Sequence, residues 1–110
     1  MNPRIAALEK MLGGPRDGAL LRYSLGGEYL KASAPVQAAG AFRTAVELDP
    51  NYSAAWKMLG KALAEAGQRT EALTAYEQGI AVAKQRGDIQ AAKEMAVFAK
   101  RLQKVPDAGN

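Results

Sequence analysis

The sequence predicts an all-α fold built as a helical repeat, and three observations carry that expectation. The chain matches itself at an offset of 34 residues, pairing Leu25-Gly26 with Leu59-Gly60, Ala38 with Ala72, Phe42 with Tyr76 and Leu48 with Val82. Within a copy, apolar residues return at helical steps, as in Leu21, Leu25 and Tyr29, or Ala38, Phe42 and Ala45. Breakers then cut the chain into helix-length pieces at Gly13-Gly14-Pro15, Ser33-Ala34-Pro35, Asp49-Pro50-Asn51, Gly67 and Gly87, and nothing between them reads as a strand.

Taken in order, the pieces predict six helices over 3–12, 17–32, 35–48, 52–66, 69–85 and 88–104. The first is capped by Asn2, with Pro3 in its first turn, where a missing N–H costs nothing; Ile5, Leu8 and Leu12 form its apolar stripe. Pro35 opens the third helix and Pro50 turns the chain after it. Gly67 and Gly87 suit left-handed stops after the fourth and fifth. The last helix carries an expected inward stripe of Ile89, Ala92, Ala96, Ala99 and Leu102, leaving Lys93, Lys100, Arg101 and Lys104 to water.

The repeated residues have mechanical roles that follow from their size. Gly26 and Gly60 lack a side chain and Ala38 and Ala72 are small, so paired helices can approach closely. Tyr29, Phe42, Trp56 and Tyr76 fill the grooves around that contact. This set, at this period, resembles the tetratricopeptide repeat (TPR) family, with its W-x2-L-G-x2-Y, A-x3-F and closing P pattern. The first copy supplies Leu25, Gly26, Tyr29, Ala38, Phe42, Ala45 and Pro50, with Arg22 in place of the leading tryptophan. The second supplies Trp56, Leu59, Gly60, Ala72 and Tyr76, but has Leu63 for tyrosine, Gly79 for alanine and Lys84 for proline. Without that proline the fifth helix can run on toward Gly87.

The resemblance implies a right-handed α-α superhelix in a single domain over 1–110: an N-terminal helix at 3–12, one repeat at 19–52, a second at 53–86 and a capping helix at 88–104. Atypical end helices are how a solenoid covers the apolar faces of its terminal units. It also implies a protein- or peptide-binding adaptor or scaffold, because first helices in this family line a concave groove. The positions nominated for that groove are Leu20, Tyr23, Gly27, Leu30 and Lys31 in the first unit, Ala54, Lys57, Lys61, Ala64 and Glu65 in the second, and Asp88, Ala91, Met95 and Phe98 in the last helix. Tyr23, Met95 and Phe98 beside Lys57 and Lys61 suit an apolar ligand carrying negative charge. Set against this, Lys57 and Lys61 are four apart on one helix face, and most such pairs are only solvated surface, while Met95 and Phe98 read more readily as packing of the cap. Some family members grip a peptide's C-terminal carboxylate with lysine, asparagine and arginine at set places along three successive first helices. Here Tyr23 and Gly27 stand at two of those places, and Asp88 and Ala92 at others, so that clamp is not expected.

Composition narrows the chemistry. The chain has no cysteine and no histidine, which removes disulfides, thiolate nucleophiles, imidazole bases and Cys/His metal sites. Glu65, Glu71 and Glu77 look like solvated helix positions, and the Gly-Gly pairs at 13–14 and 26–27 lack the setting of a phosphate loop. No enzyme, cofactor or metal is expected. The first ten residues include Arg4, Glu9 and Lys10, unlike a secretory leader, and no apolar run reaches membrane-spanning length, so the expected setting is cytoplasmic, without membrane partners. Self-association through an end helix is the alternative function, giving a monomer or weak homo-oligomer. Nucleic-acid binding ranks below it. A net charge of +4 and the cluster Lys93, Lys100, Arg101 and Lys104 favour it, but Asp88, Glu94 and Asp107 interrupt the run.

Overall fold

In a computed structural model, which describes residues 2–104, the helix ends show how local chemistry divides the chain. Asp107 lies outside the described residues. At the start, the Asn2 Oδ1 accepts hydrogen bonds from the N–H groups of Arg4 (2.9 Å) and Ile5 (3.3 Å), and Pro3 opens α1 (Pro3–Glu9). This helix is shorter than the expected 3–12. Met11 and Leu12 donate to the carbonyls of Leu8 and Glu9, three residues back, and that tightened turn ends at Gly13 with φ 78°.

The second helix, α2 (Ala19–Lys31), begins two residues later than expected, because Asp17 is engaged in the preceding loop. Its carboxylate accepts from the Gly13 N–H at 2.9 Å and from Arg22 Nε and Nη2 at 2.9 and 2.8 Å. Hydrogen bonding from Arg22 first, then from Gly13, pulls the Asp17 carboxyl from 3.8 down to about 2.

The remaining elements are α3 (Pro35–Leu48), α4 (Ser53–Glu65), α5 (Arg69–Gln85) and α6 (Ile89–Lys104), with no strand among the described residues. Three stops share one geometry: Ser33, Gly67 and Gly87 have φ of 60°, 81° and 77°. After each, the next residue's N–H reaches back five positions, Ala34 to Tyr29 O, Gln68 to Leu63 O and Asp88 to Ala83 O, at 2.9, 2.8 and 2.8 Å. These bonds satisfy carbonyls that a helix end would otherwise leave open. The α3–α4 turn is held differently. Trp56 Nε1 donates to Pro50 O at 2.8 Å, and Arg86, at the end of α5, donates to Asn51 O at 2.5 Å.

Packing follows the small residues. A Cβ on Gly26 would lie 2.6 Å from the fully buried Phe42 ring, and one on Gly60 would meet the Tyr76 ring, so both glycines mark near-contact between paired helices. The core runs from Ala38, Phe42 and Ala45 through Ala55, Leu59, Ala62 and Leu63 to Ala72 and Ala75. It then continues in Tyr76, Ala83, Ala92, Met95 and Ala99. Tyr29 joins α1 to α2 by donating its hydroxyl to Glu9 Oε2 at 2.6 Å. Each helix packs on the next in the chain. In addition α2 touches α4 and α4 touches α6, so the first helices line up on one side.

A register shift sets the orientation of the last helix. α5 has 17 residues against 14 in α3, its counterpart. The burial pattern of α6 then matches that of α4 at an offset of 37 instead of 34, with the buried Ala92 and Ala99 corresponding to the buried Ala55 and Ala62, and Met95 to Met58. The expected inward stripe of α6 is corrected accordingly. Ile89 (52% exposed) and Ala96 face water, and Met95 is fully buried in their place.

Candidate peptide-binding groove

The side on which the first helices line up is formed by α2, α4 and α6. On α4, Lys57 and Lys61 stand one turn apart. With Met58, Tyr76 from α5 and Phe98 from α6 they line a cleft of about 350 Å³. Its floor is aromatic, since the Tyr76 and Phe98 rings lie 5.9 Å apart at 43°. Its rim is cationic. The Arg101 guanidinium sits 5.9 Å from the Phe98 ring centroid, and Lys61 is exposed. Lys57 Nζ pairs with Glu94 Oε1 at 3.3 Å, which bridges α4 to α6 and separates this cleft from a smaller one of about 200 Å³ bordered by Ser53, Ala54 and Ala91. Burial, followed by the nearby Glu65 charge, pushes the Tyr76 hydroxyl from 10.0 up to about 12, so the cleft floor stays neutral at ordinary pH.

Among the nominated positions, Lys57, Lys61 and Phe98 come together in this cleft. Tyr23, Gly27, Leu30 and Lys31 stand on α2 away from it. The Tyr23 ring packs edge-on against Phe42 at 5.7 Å and tilted against Tyr52 at 4.9 Å, so it serves the core as well as the surface. Leu30 packs on the core, Lys31 pairs with Glu28 at 3.4 Å, and nothing lies within 4 Å of a Cβ on Gly27. Met95 is corrected. The three extra residues of α5 rotate it off the groove and into the core, where its Sδ lies 2.5 Å from the place a Gly79 Cβ would occupy. Sequence reasoning missed Met58 as a lining residue and the Arg101 guanidinium beside the Phe98 ring, and assigned Tyr76 to packing alone. The available signal was position, since Arg101 is three residues beyond Phe98, one helical turn along the same face.

The pairing of small residue on one helix with ring on the next, repeated along the chain, is matched by the tetratricopeptide repeat family model over residues 29–96. This chain belongs to the tetratricopeptide repeat family. It is 51% identical over 98 residues to a TPR repeat-containing protein of Pseudomonas aeruginosa, covering 89% of this chain and 93% of that one. Among solved structures, it is similar to a Bordetella parapertussis protein at 42% identity and TM-score 0.79, covering 94% of this chain and 90% of that one. A tetratricopeptide repeat domain protein of Salinibacter ruber matches at 29% identity and TM-score 0.75, covering 84% and 93%. TPR repeats are in general non-catalytic protein-interaction modules. Among the described residues no acidic cluster could hold a metal ion, and no helix is long and apolar enough to cross a membrane.

Proposed function

We propose that this chain is a non-catalytic cytoplasmic adaptor whose concave face binds an acidic peptide. An apolar side chain of the ligand enters the Met58–Tyr76–Phe98 cleft, and a neighbouring carboxylate meets Lys61 and Arg101. The observation that carries the reading is the cleft itself, an aromatic floor beneath a cationic rim on the side where the first helices align. Lys57 contributes less than its position suggests, because Glu94 already neutralises it.

The experiment is a fluorescence-anisotropy titration of short acidic peptides bearing one leucine or phenylalanine. Lys61→Glu should weaken binding roughly fivefold at low salt, and the loss should shrink at high salt as the charges are screened. Phe98→Ala should weaken it with little salt dependence. Binding unchanged in both folded variants would remove the groove reading.

A further inference from the structure

The outward side of α6 is a second surface, distinct from the groove. In the earlier units the first helix carries a partner on this side: Gly26 of α2 abuts Phe42 of α3, and Gly60 of α4 abuts Tyr76 of α5. At the offset of 37, the counterparts of Leu59, Gly60 and Leu63 on α6 are Ala96, Val97 and Lys100. All three are exposed, Val97 to 47%, so the place that a second helix takes on α4 stands open on α6.

The chemistry of this open side is one-signed. Lys93, Lys100 and Lys104 are exposed along it, and none of them has an ion-pair partner among the described residues. Of the acidic residues that interrupt the run in sequence, the two among the described residues are turned elsewhere: Glu94 pairs with Lys57, and Asp88 Oδ1 accepts the Ala91 N–H at the start of the helix. Between the lysines lie the exposed apolar Ala96 and Val97, with Ile89 at one end.

From this combination we infer that the outward face of α6 docks an acidic amphipathic helix of a partner protein, laid along α6 as α5 is laid along α4. Such a helix satisfies both features at once, an apolar stripe over Ala96 and Val97 and carboxylates flanking it toward the lysines. A second copy of this face would bring lysines against lysines. A nucleic-acid backbone would answer the charge but leave Val97 and Ile89 without apolar contact, and the face offers no aromatic ring for a base to stack on.

The probe is a fluorescein-labelled synthetic helix of about 16 residues, the length of α6, with a leucine-alanine stripe flanked by glutamates. A scrambled peptide of the same composition, a short DNA duplex and phosphatidylserine-containing vesicles serve as comparators. Amide shifts should map to Lys93, Ala96, Val97 and Lys100. Lys93→Glu with Lys100→Glu should weaken the stripe peptide roughly tenfold, and Val97→Asp should weaken it at low and high salt alike. Circular dichroism should be unchanged in both variants, since these positions are exposed. The inference is overturned by shifts confined to Lys61 and Phe98, by equal binding of the scrambled peptide, or by tighter binding of duplex or vesicles to this face. Self-association that Lys93→Glu strengthens, or no binding at millimolar protein, overturns it too. Because the groove variants Lys61→Glu and Phe98→Ala leave this face intact, failure of one reading is distinguishable from failure of the other.

Discussion

Gly26 and Gly27 are neighbours in α2, and replacing each by alanine should move stability in opposite directions. A Cβ on Gly26 would lie 2.6 Å from Phe42 Cε1 and 2.7 Å from Cδ1 and Cζ, where carbon atoms normally settle at about 3.5–4.0 Å. The overlap is therefore about 1 Å with three ring atoms, and Phe42 is fully buried with no room to swing aside. Overpacking of this kind costs about 1–3 kcal/mol, offset by the roughly 0.5–1 kcal/mol that alanine gains over glycine inside a helix. A net loss of about 1–2 kcal/mol follows. Gly27 has nothing within 4 Å of its missing Cβ, so only the gain remains, about 0.5–1 kcal/mol. For a domain of this size 1 kcal/mol moves Tm by about 4–8 °C. Thermal unfolding should then show Gly26→Ala about 5–15 °C below wild type and Gly27→Ala about 3–6 °C above it. Phe42→Leu should relieve part of the Gly26→Ala loss in a double-mutant cycle. Shifts of the same sign at both glycines would refute the helix-pair register argued here.

Ser33 is the one non-glycine residue with positive φ among the described residues, so Ser33→Gly should raise stability by about 0.5–1 kcal/mol, read by urea unfolding. Asp17 has a folded-state pKa of about 2 against 3.8. Its stabilising contribution is present above about pH 4 and lost as pH falls through about 2, so the Tm deficit of Asp17→Asn should close over that window. Tyr76 runs the other way. With its pKa raised to about 12, its contribution is full below about pH 10 and lost as pH rises through 12, and the tyrosinate absorbance missing in Tyr76→Phe should develop near pH 12.

Much of the fold was legible because the residues that specify it act locally or at one fixed period. Pro35, Asn2, Gly67 and Gly87 marked helix ends through their own backbone preferences, and the Gly26–Phe42 and Gly60–Tyr76 contacts were visible as repeated pairs. The start of α2 was not legible, because it depends on Asp17 being occupied by Gly13 and Arg22 rather than on any helix signal. Arg22 read only as a lost tryptophan. In the structure it makes a tie of similar reach, holding a loop residue five positions back, where Trp56 holds Pro50 six positions back. The groove was half legible. Lys57 and Lys61 followed from position on α4, but the neutralisation of Lys57 by Glu94 needs two helices brought together in space.

Three departures from the repeat pattern, Gly79 for alanine, Lys84 for proline and the buried Met95, belong to one physical change. Lacking a proline, α5 continues to Gln85 and stops at Gly87, which rotates α6 relative to a strict repeat. That rotation carries the long, flexible Met95 side chain onto α5, where only a residue without a Cβ leaves space for it. A Cβ on Gly79 would lie 2.5 Å from Met95 Sδ and 2.8 Å from Trp56 Cβ. The methionine tip could shift to admit alanine, but Trp56 Cβ is fixed by its own helix, so the glycine is required by the fold and not by a ligand. The same rotation places Phe98 over the groove and Val97 on the adjoining, open side of α6. One helix thereby borders two separate surfaces because the helix before it is three residues longer than α3.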